Sequence, residues 1–439
     1  MTETVLPGKK DIPIYIGKTG LSIFNIRIMN RKHLFIALLA CMPGLGLTSC
    51  SNNTAQQPAT TSITVKTTIA ADAGYSYDGL EMQIGSWKDE TSAEQTVLGT
   101  ATIANGTAVI PADLSAYGGK DIWICIPKVA KFFHTLTDAE LNAKTLTLPD
   151  KDKGSTLKPT PTIGADNRAY VNDWIVALYI GINKGGSTSA QATPIYWATG
   201  DLVATKTGED SSRTPSTLTS FHIATAEENR KESTPESPFN FASTITESST
   251  NGYASCEVGS QWILFGWGDP DGLKTSRNNE DYAPGVMTDI CGTGYDIARV
   301  QLGGSWRLPT APDSNNKDDN ECAALDDAEK PGLLPDGEMQ MEGGILMGYS
   351  FTHKIENAGT QGNTITNTIS FAAMGCRNRL GTGTETTMTN IAGNFWSGTV
   401  ADDSGKVSQV GFWQGYPKDA FTAYYNDRFY GIAVRPVSE

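Results

Sequence analysis

Catalysis requires nucleophiles, acids and metal ligands at spacings that let them meet, and this 439-residue chain offers few. It has four histidines, of which His134, His222 and His353 lie far apart and lack the context of a triad or a metal site. Seven cysteines include no Cys-x2-Cys pair, so zinc-ligand spacing is missing. Gly343-Gly344 fits neither a phosphate-binding loop nor a dinucleotide pattern. Oxygen donors crowd at Asp313, Asn315, Asp318 and Asp319. No cofactor is expected: such a cluster could take Ca2+, but a solvated loop is the commoner meaning of the same residues. Trp413, Tyr416 and Tyr425, with Asn426 and Asp427, form a candidate ligand-binding set, because rings stack on sugars while amides and carboxylates orient them. Ordinary packing explains these aromatics equally. The pattern points to binding rather than to an enzyme.

Cys50 is different. Met29-Asn30-Arg31-Lys32-His33 is basic, Leu34 to Gly46 is apolar apart from Pro43, and Leu47-Thr48-Ser49-Cys50 follows. The apolar run is too short to span a bilayer, and its flanks fit a cleaved export signal. Its end matches the lipobox of bacterial lipoprotein signal peptides. That match implies that Cys50 becomes the first residue of the mature chain and carries lipid, each buried CH2 adding about 0.8 kcal/mol to the anchor. The expected partner is outer-membrane lipid through Cys50, and the expected location the outer membrane or cell surface. Residues 1–28 read as an upstream extension or misassigned start, 29–50 as the signal and 51–61 as a polar tether. Export permits disulfides. Setting aside Cys41 and Cys50 leaves five cysteines, so intrachain pairing leaves at least one thiol over.

The elements that must position such residues read as mainly β with some α. The formal net charge of −14, with no Lys/Arg-rich stretch, excludes a nucleic-acid partner held by its phosphates. Ser62–Ile69, Leu80–Ile84, Ala101–Ile103 and Ala108–Ile110 alternate apolar and polar side chains, as half-buried strands do. Asn105-Gly106 between the last two marks a hairpin turn. Asp121–Ile126 is a strongly apolar strand ended by Pro127, with Cys125 a core thiol, and Thr145–Leu148 is another strand. Trp174–Gly181 is apolar on both faces and suits a central strand. These elements predict a β-sandwich over residues 62–189, and Gly185-Gly186-Ser187 marks a boundary. The second domain, 190–439, is expected to be a loop-rich α+β unit. It has helix-compatible pieces at Ala224–Lys231 and Cys322–Ala328, the latter carrying Leu325 inward, and hairpins at Gly343–Phe351 and Ile365–Ala372. With few regular ladders, Trp306, Arg307, Trp396 and Arg435 are expected to act as scaffolding that ties loop carbonyls together.

Seven motifs occur in order in the second domain: Tyr196–Leu202, Leu264–Pro270, Tyr295–Ala298, Gly303–Thr310, Ala372–Arg377, Asn394–Thr399 and Tyr430–Val437. Together they resemble the Fibrobacter succinogenes major paralogous domain of Bacteroidota surface proteins. The resemblance implies a C-type lectin-like fold shared with sulfatase-modifying enzymes. Relatives that generate formylglycine use two close cysteines at a copper site, whereas Cys376 has no cysteine neighbour nearby, so that activity is not expected. The first domain, with its lipobox, is similar to the Bacteroidota fimbrillin family. That similarity implies proteolytic removal of the first strand after a basic residue, and filling of the groove by a neighbouring fimbrial subunit, that is, donor-strand exchange. No Arg occurs between Cys50 and Arg168, and Lys66 is the only basic residue before Lys88, which makes Lys66 the candidate processing site. The resulting expectation is a lipid-anchored adhesion protein, a terminal subunit at a fimbrial tip that accepts a strand and cannot donate one. A glycan-binding surface lipoprotein outside any pilus is the alternative.

Overall fold

The computed structural model describes residues 61–69, 73–88, 94–150, 161–163, 169–171, 174–182, 193–209, 215–224, 256–258, 261–274, 278–311, 321–322, 325, 336–342, 345–358, 362–373, 375–376, 392–402, 405–414 and 422–439. Cys50, Tyr416, the cluster at 313–319 and residues 225–231 lie outside them.

The first strands are β1 (Ile63–Lys66), β2 (Glu81–Trp87), β3 (Gln95–Thr102), β4 (Thr107–Ile110), β5 (Asp121–Ile126), β6 (Ala130–Thr135) and β7 (Thr145–Thr147). β8 (Pro161–Ile163), β9 (Ala169–Val171), β10 (Ile175–Ile182), β11 (Pro194–Ala198), β12 (Leu202–Glu209) and β13 (Pro215–Ile223) follow. Then come β14 (Cys256–Val258), β15 (Gln261–Leu264), β16 (Trp306–Arg307), β17 (Asp336–Glu342), β18 (Ile345–Ala358) and β19 (Asn363–Ala372). β20 (Ala392–Val400), β21 (Val407–Trp413), β22 (Thr422–Asn426) and β23 (Val437–Ser438) complete the order. The protein is mainly β, with little helix.

A three-stranded sheet, β4-β1-β7, shares its core with an eight-stranded sheet of order β16-β23-β11-β10-β6-β5-β2-β3. Alternation explains the packing. Ile63, Val65, Ala108, Ile110 and Leu146 from the small sheet join Met82, Ile84, Ile122, Ile124, Phe132 and Val176 from the large one. The intervening residues of the large sheet, Trp123, Cys125, Phe133, Tyr179 and Tyr196, are buried too, in a second cluster that includes Trp306. β5 is therefore covered on both faces, as its unbroken apolar run requires. The turn joining β3 to β4 has Asn105 and Gly106 at φ 49° and 68°, the left-handed pair that Asn-Gly supplies. Leu325 is buried, as expected.

The boundary expected between residues 189 and 190 does not divide this structure. β10 pairs antiparallel with β11 across it, Tyr179 opposite Tyr196, and residues 57–439 form one compact unit. β23, near the end of the sequence, lies between β11 and β16 in the same sheet. The physical reason is that a strand apolar on both faces is buried in the interior of a sheet rather than at its rim, and β6 and β11 flank β10 there.

The seam is held by a fully buried ion pair. Arg435 Nε donates to Asp201 Oδ1 at 2.5 Å, and both side chains are 0% exposed. The guanidinium also donates to Ser370 O (2.8 Å) and Ala198 O (3.3 Å), with Phe371 stacked 4.6 Å away. Replacing Arg435 by Ala is expected to lower the unfolding free energy by about 3–5 kcal/mol, because it strands the Asp201 carboxylate. The double variant Arg435→Met with Asp201→Leu should recover much of that loss, and urea unfolding of the two variants measures it.

Candidate functional site

Two regions carry the residues singled out from the sequence. The first is β1. It is the middle strand of its sheet, antiparallel to β4 (Val65 opposite Ala108) and parallel to β7 (Val65 opposite Leu146). Thr64 N donates to Lys144 O at 3.0 Å, and Leu148 N donates to Lys66 O at 2.8 Å. Ile63 and Val65 point into the core, and Lys66, the last residue of the strand, has an exposed side chain. The peptide bond after Lys66 continues the ladder on both sides: its carbonyl is the one that accepts from Leu148 N, and Thr67 N donates to Gly106 O at 2.8 Å, so a protease reaches it only when this end of β1 lifts from its neighbours.

The second region is the β20-β21-β22 sheet. Trp413 is half-buried, with its ring 5.9 Å from that of Tyr424. Tyr424 is opposite Gln409, whereas Tyr425 is opposite Ser408. With side chains alternating along each strand, Trp413, Gln409 and Tyr424 share one face, and Tyr425, 44% exposed, is on the other. The candidate set is therefore not brought onto a single platform. Asp427 is engaged in the loop scaffold: its Oδ1 accepts from Asn279 Nδ2 at 2.9 Å, while Asn279 Oδ1 accepts from Arg428 N at 2.8 Å. Among the described residues, no group of three or more His, Cys, Asp or Glu side chains could hold a metal ion. No described helix is long and apolar enough to cross a membrane.

The expected scaffolding residues do tie loops together. Trp396 Nε1 donates to Phe265 O at 2.7 Å. Arg307 binds the Glu321 carboxylate through both terminal nitrogens and also reaches Glu439 Oε1 (2.9 Å) and Leu308 O (3.0 Å). Trp306 packs 4.7 Å from Phe133. Arg428, which no sequence signal distinguished from its neighbours, does more than any of these. It donates to the carbonyls of Tyr282 (3.0 Å), Ala283 (2.9 Å), Gly405 (3.0 Å) and Val286 (2.5 Å), and stacks 4.9 Å from Trp267. Asp296 is the anionic counterpart. It caps the Ile297–Leu302 helix, with Oδ1 accepting from Ala298 N and Arg299 N and Oδ2 from Gly292 N and Leu308 N.

No protein-family model, no curated protein and no solved structure matches this chain.

Burial pushes the Asp296 carboxyl up to about 6, against the backbone amides that pull the other way. With the folded value above the ordinary 3.8, its contribution to stability is fully present below pH 3.8 and is lost as pH rises through 6. The stability difference between wild type and Asp296→Asn should therefore shrink, in the direction unfavourable to wild type, by about 3 kcal/mol between pH 3.5 and 7. Urea unfolding of both proteins at the two pH values reads this out.

Proposed function

We propose that this chain is an exported lipoprotein, held at the cell envelope by lipid on Cys50, that serves adhesion as a strand-accepting terminal subunit of a fimbria. The position of β1 carries the reading. It is a central strand, it ends at exposed Lys66, and it contributes two core side chains. Cleavage after Lys66 would release it and leave the inner edges of β4 and β7 with unpaired amides and carbonyls above an apolar floor. An extended segment of a neighbouring subunit, apolar at alternate positions, would restore both the ladder and the core. The other end of the sequence supports the terminal role. Ile432, Ala433, Val434 and Val437 are fully buried, and β23 is paired on both edges, so this segment is not free to leave. Sugar capture by Trp413, Tyr416, Tyr425, Asn426 and Asp427 has less support, since Trp413 and Tyr425 face apart.

Limited digestion of the folded protein with a Lys-specific protease is expected to cut between Lys66 and Thr67 and to lower the melting temperature. Adding a peptide of sequence 60–66 should restore it, and Lys66→Ala should resist this cut. A Lys66–Thr67 bond that stays intact while the rest of the fold is digested would sink the strand-exchange reading. Separately, labelled palmitate is expected to enter the wild-type protein in a lipoprotein-processing host and to be absent from Cys50→Ser.

A further inference from the structure

Lys131 lies in β6 with only 3% of its surface exposed, an unusual place for an ammonium group. Its stem crosses the sheet: Nζ sits 4.9 Å from the Trp123 ring centroid, with Phe133 and Tyr196 rings at 5.7 and 6.0 Å. The route passes β5 and β2 at a point where β2 has Gly85. A Cβ there would lie 2.1 Å from the Trp123 ring, so only glycine leaves the indole its place. The amine ends at Gln95 on the edge strand β3, donating to Oε1 at 2.5 Å. Gln95 Nε2 in turn donates to the Glu439 main-chain oxygen at 3.1 Å, and that same oxygen accepts from Lys131 Nζ. The buried amine thus leaves its aromatic surroundings at a half-exposed rim, where it meets the carboxamide carbonyl and nitrogen of Gln95 around one shared acceptor.

We infer that this rim is a modification site, at which Lys131 and Gln95 become joined by an isopeptide bond. Nζ of the free amine attacks Gln95 Cδ, forming the Nζ–Cδ bond. A proton passes from Nζ to Nε2, both of which are hydrogen-bonded to the Glu439 oxygen. The Cδ–Nε2 bond breaks and ammonia leaves, with no oxidant or reductant involved. Holding the reactants in contact supplies the entropic part of the barrier. Desolvation lowers the Lys131 ammonium to about 8, leaving a sizeable fraction as the nucleophilic amine near neutral pH. The product staples β6 to the edge strand β3 across two intervening strands. It depends neither on Cys50 nor on strand exchange.

Tryptic peptide mapping of the folded full-length protein tests this. Trypsin cannot cut after an acylated Lys131. The expected species joins residues 89–120 to residues 129–144 and is lighter than their sum by one ammonia. Its yield should rise on incubation at pH 9 relative to pH 6, and it should be absent from Gln95→Ala and from protein held in urea throughout. Cleavage after Lys131, together with an unmodified 89–120 peptide, from folded protein incubated at pH 9 would overturn the inference.

Discussion

A guanidinium and a carboxylate, each withdrawn completely from water, sit at the junction of three chain segments, and the remaining packing is arranged around that contact. Arg435 comes from the last stretch of sequence, Asp201 from the turn between β11 and β12, and Ser370, whose carbonyl the same guanidinium uses, from β19. Taking two charges out of water is unfavourable by several kcal/mol each unless they meet with good geometry and their remaining hydrogen-bonding capacity is filled. Here the pair is direct, and Ala198 O and Ser370 O occupy further donors. The main chain on either side is fixed as a result: Ala198 N donates to Pro436 O at 3.0 Å and Leu202 N to Val434 O at 2.8 Å. Those bonds bring β23 beside β11, and this is why strands distant in sequence close a single sheet.

The same solution recurs where ladders are sparse. A loop carbonyl shielded from water needs a donor, and a loop amide needs an acceptor. Arg428 answers the first need for residues 282, 283, 286 and 405, while Asp296 answers the second for residues 292, 298, 299 and 308. Each is a rigid charged fork placed where regular structure would otherwise supply several separate partners.

What could be read from the residues follows from how local the underlying physics is. β5 was legible because Ile122 to Ile126 is apolar at every position, and the Asn105-Gly106 turn because its backbone demands those two residues. The continuity of the large sheet was not, since alternation specifies which face a residue takes but not which distant strand lies beside it. For the same reason Trp413 and Tyr425, grouped by composition, fall on opposite faces once the register is fixed. Lys131 was invisible as a buried group because a lysine beside Phe132, Phe133 and His134 reads as the solvent side of a strand. Only the return of Trp306 and the Glu439 region over that face encloses it.

The two ends of the described fold differ in what their removal exposes. Withdrawing β1 uncovers two apolar side-chain sites, worth roughly 1.5–3 kcal/mol each, and a pair of strand edges whose hydrogen bonds are non-specific in sequence. Any extended segment with apolar residues two apart can refill them, so the exchange is close to neutral in its gross interactions. Withdrawing residues 432–438 is of another kind. Four aliphatic side chains leave the core, and Asp201 is left as a charge in an apolar cavity that no generic strand would neutralise. A replacement would need an arginine in register with Asp201, Ala198 and Ser370 together. The asymmetry is therefore chemical as well as energetic: one edge of the protein is specified only by shape and alternation, the other by a placed charge.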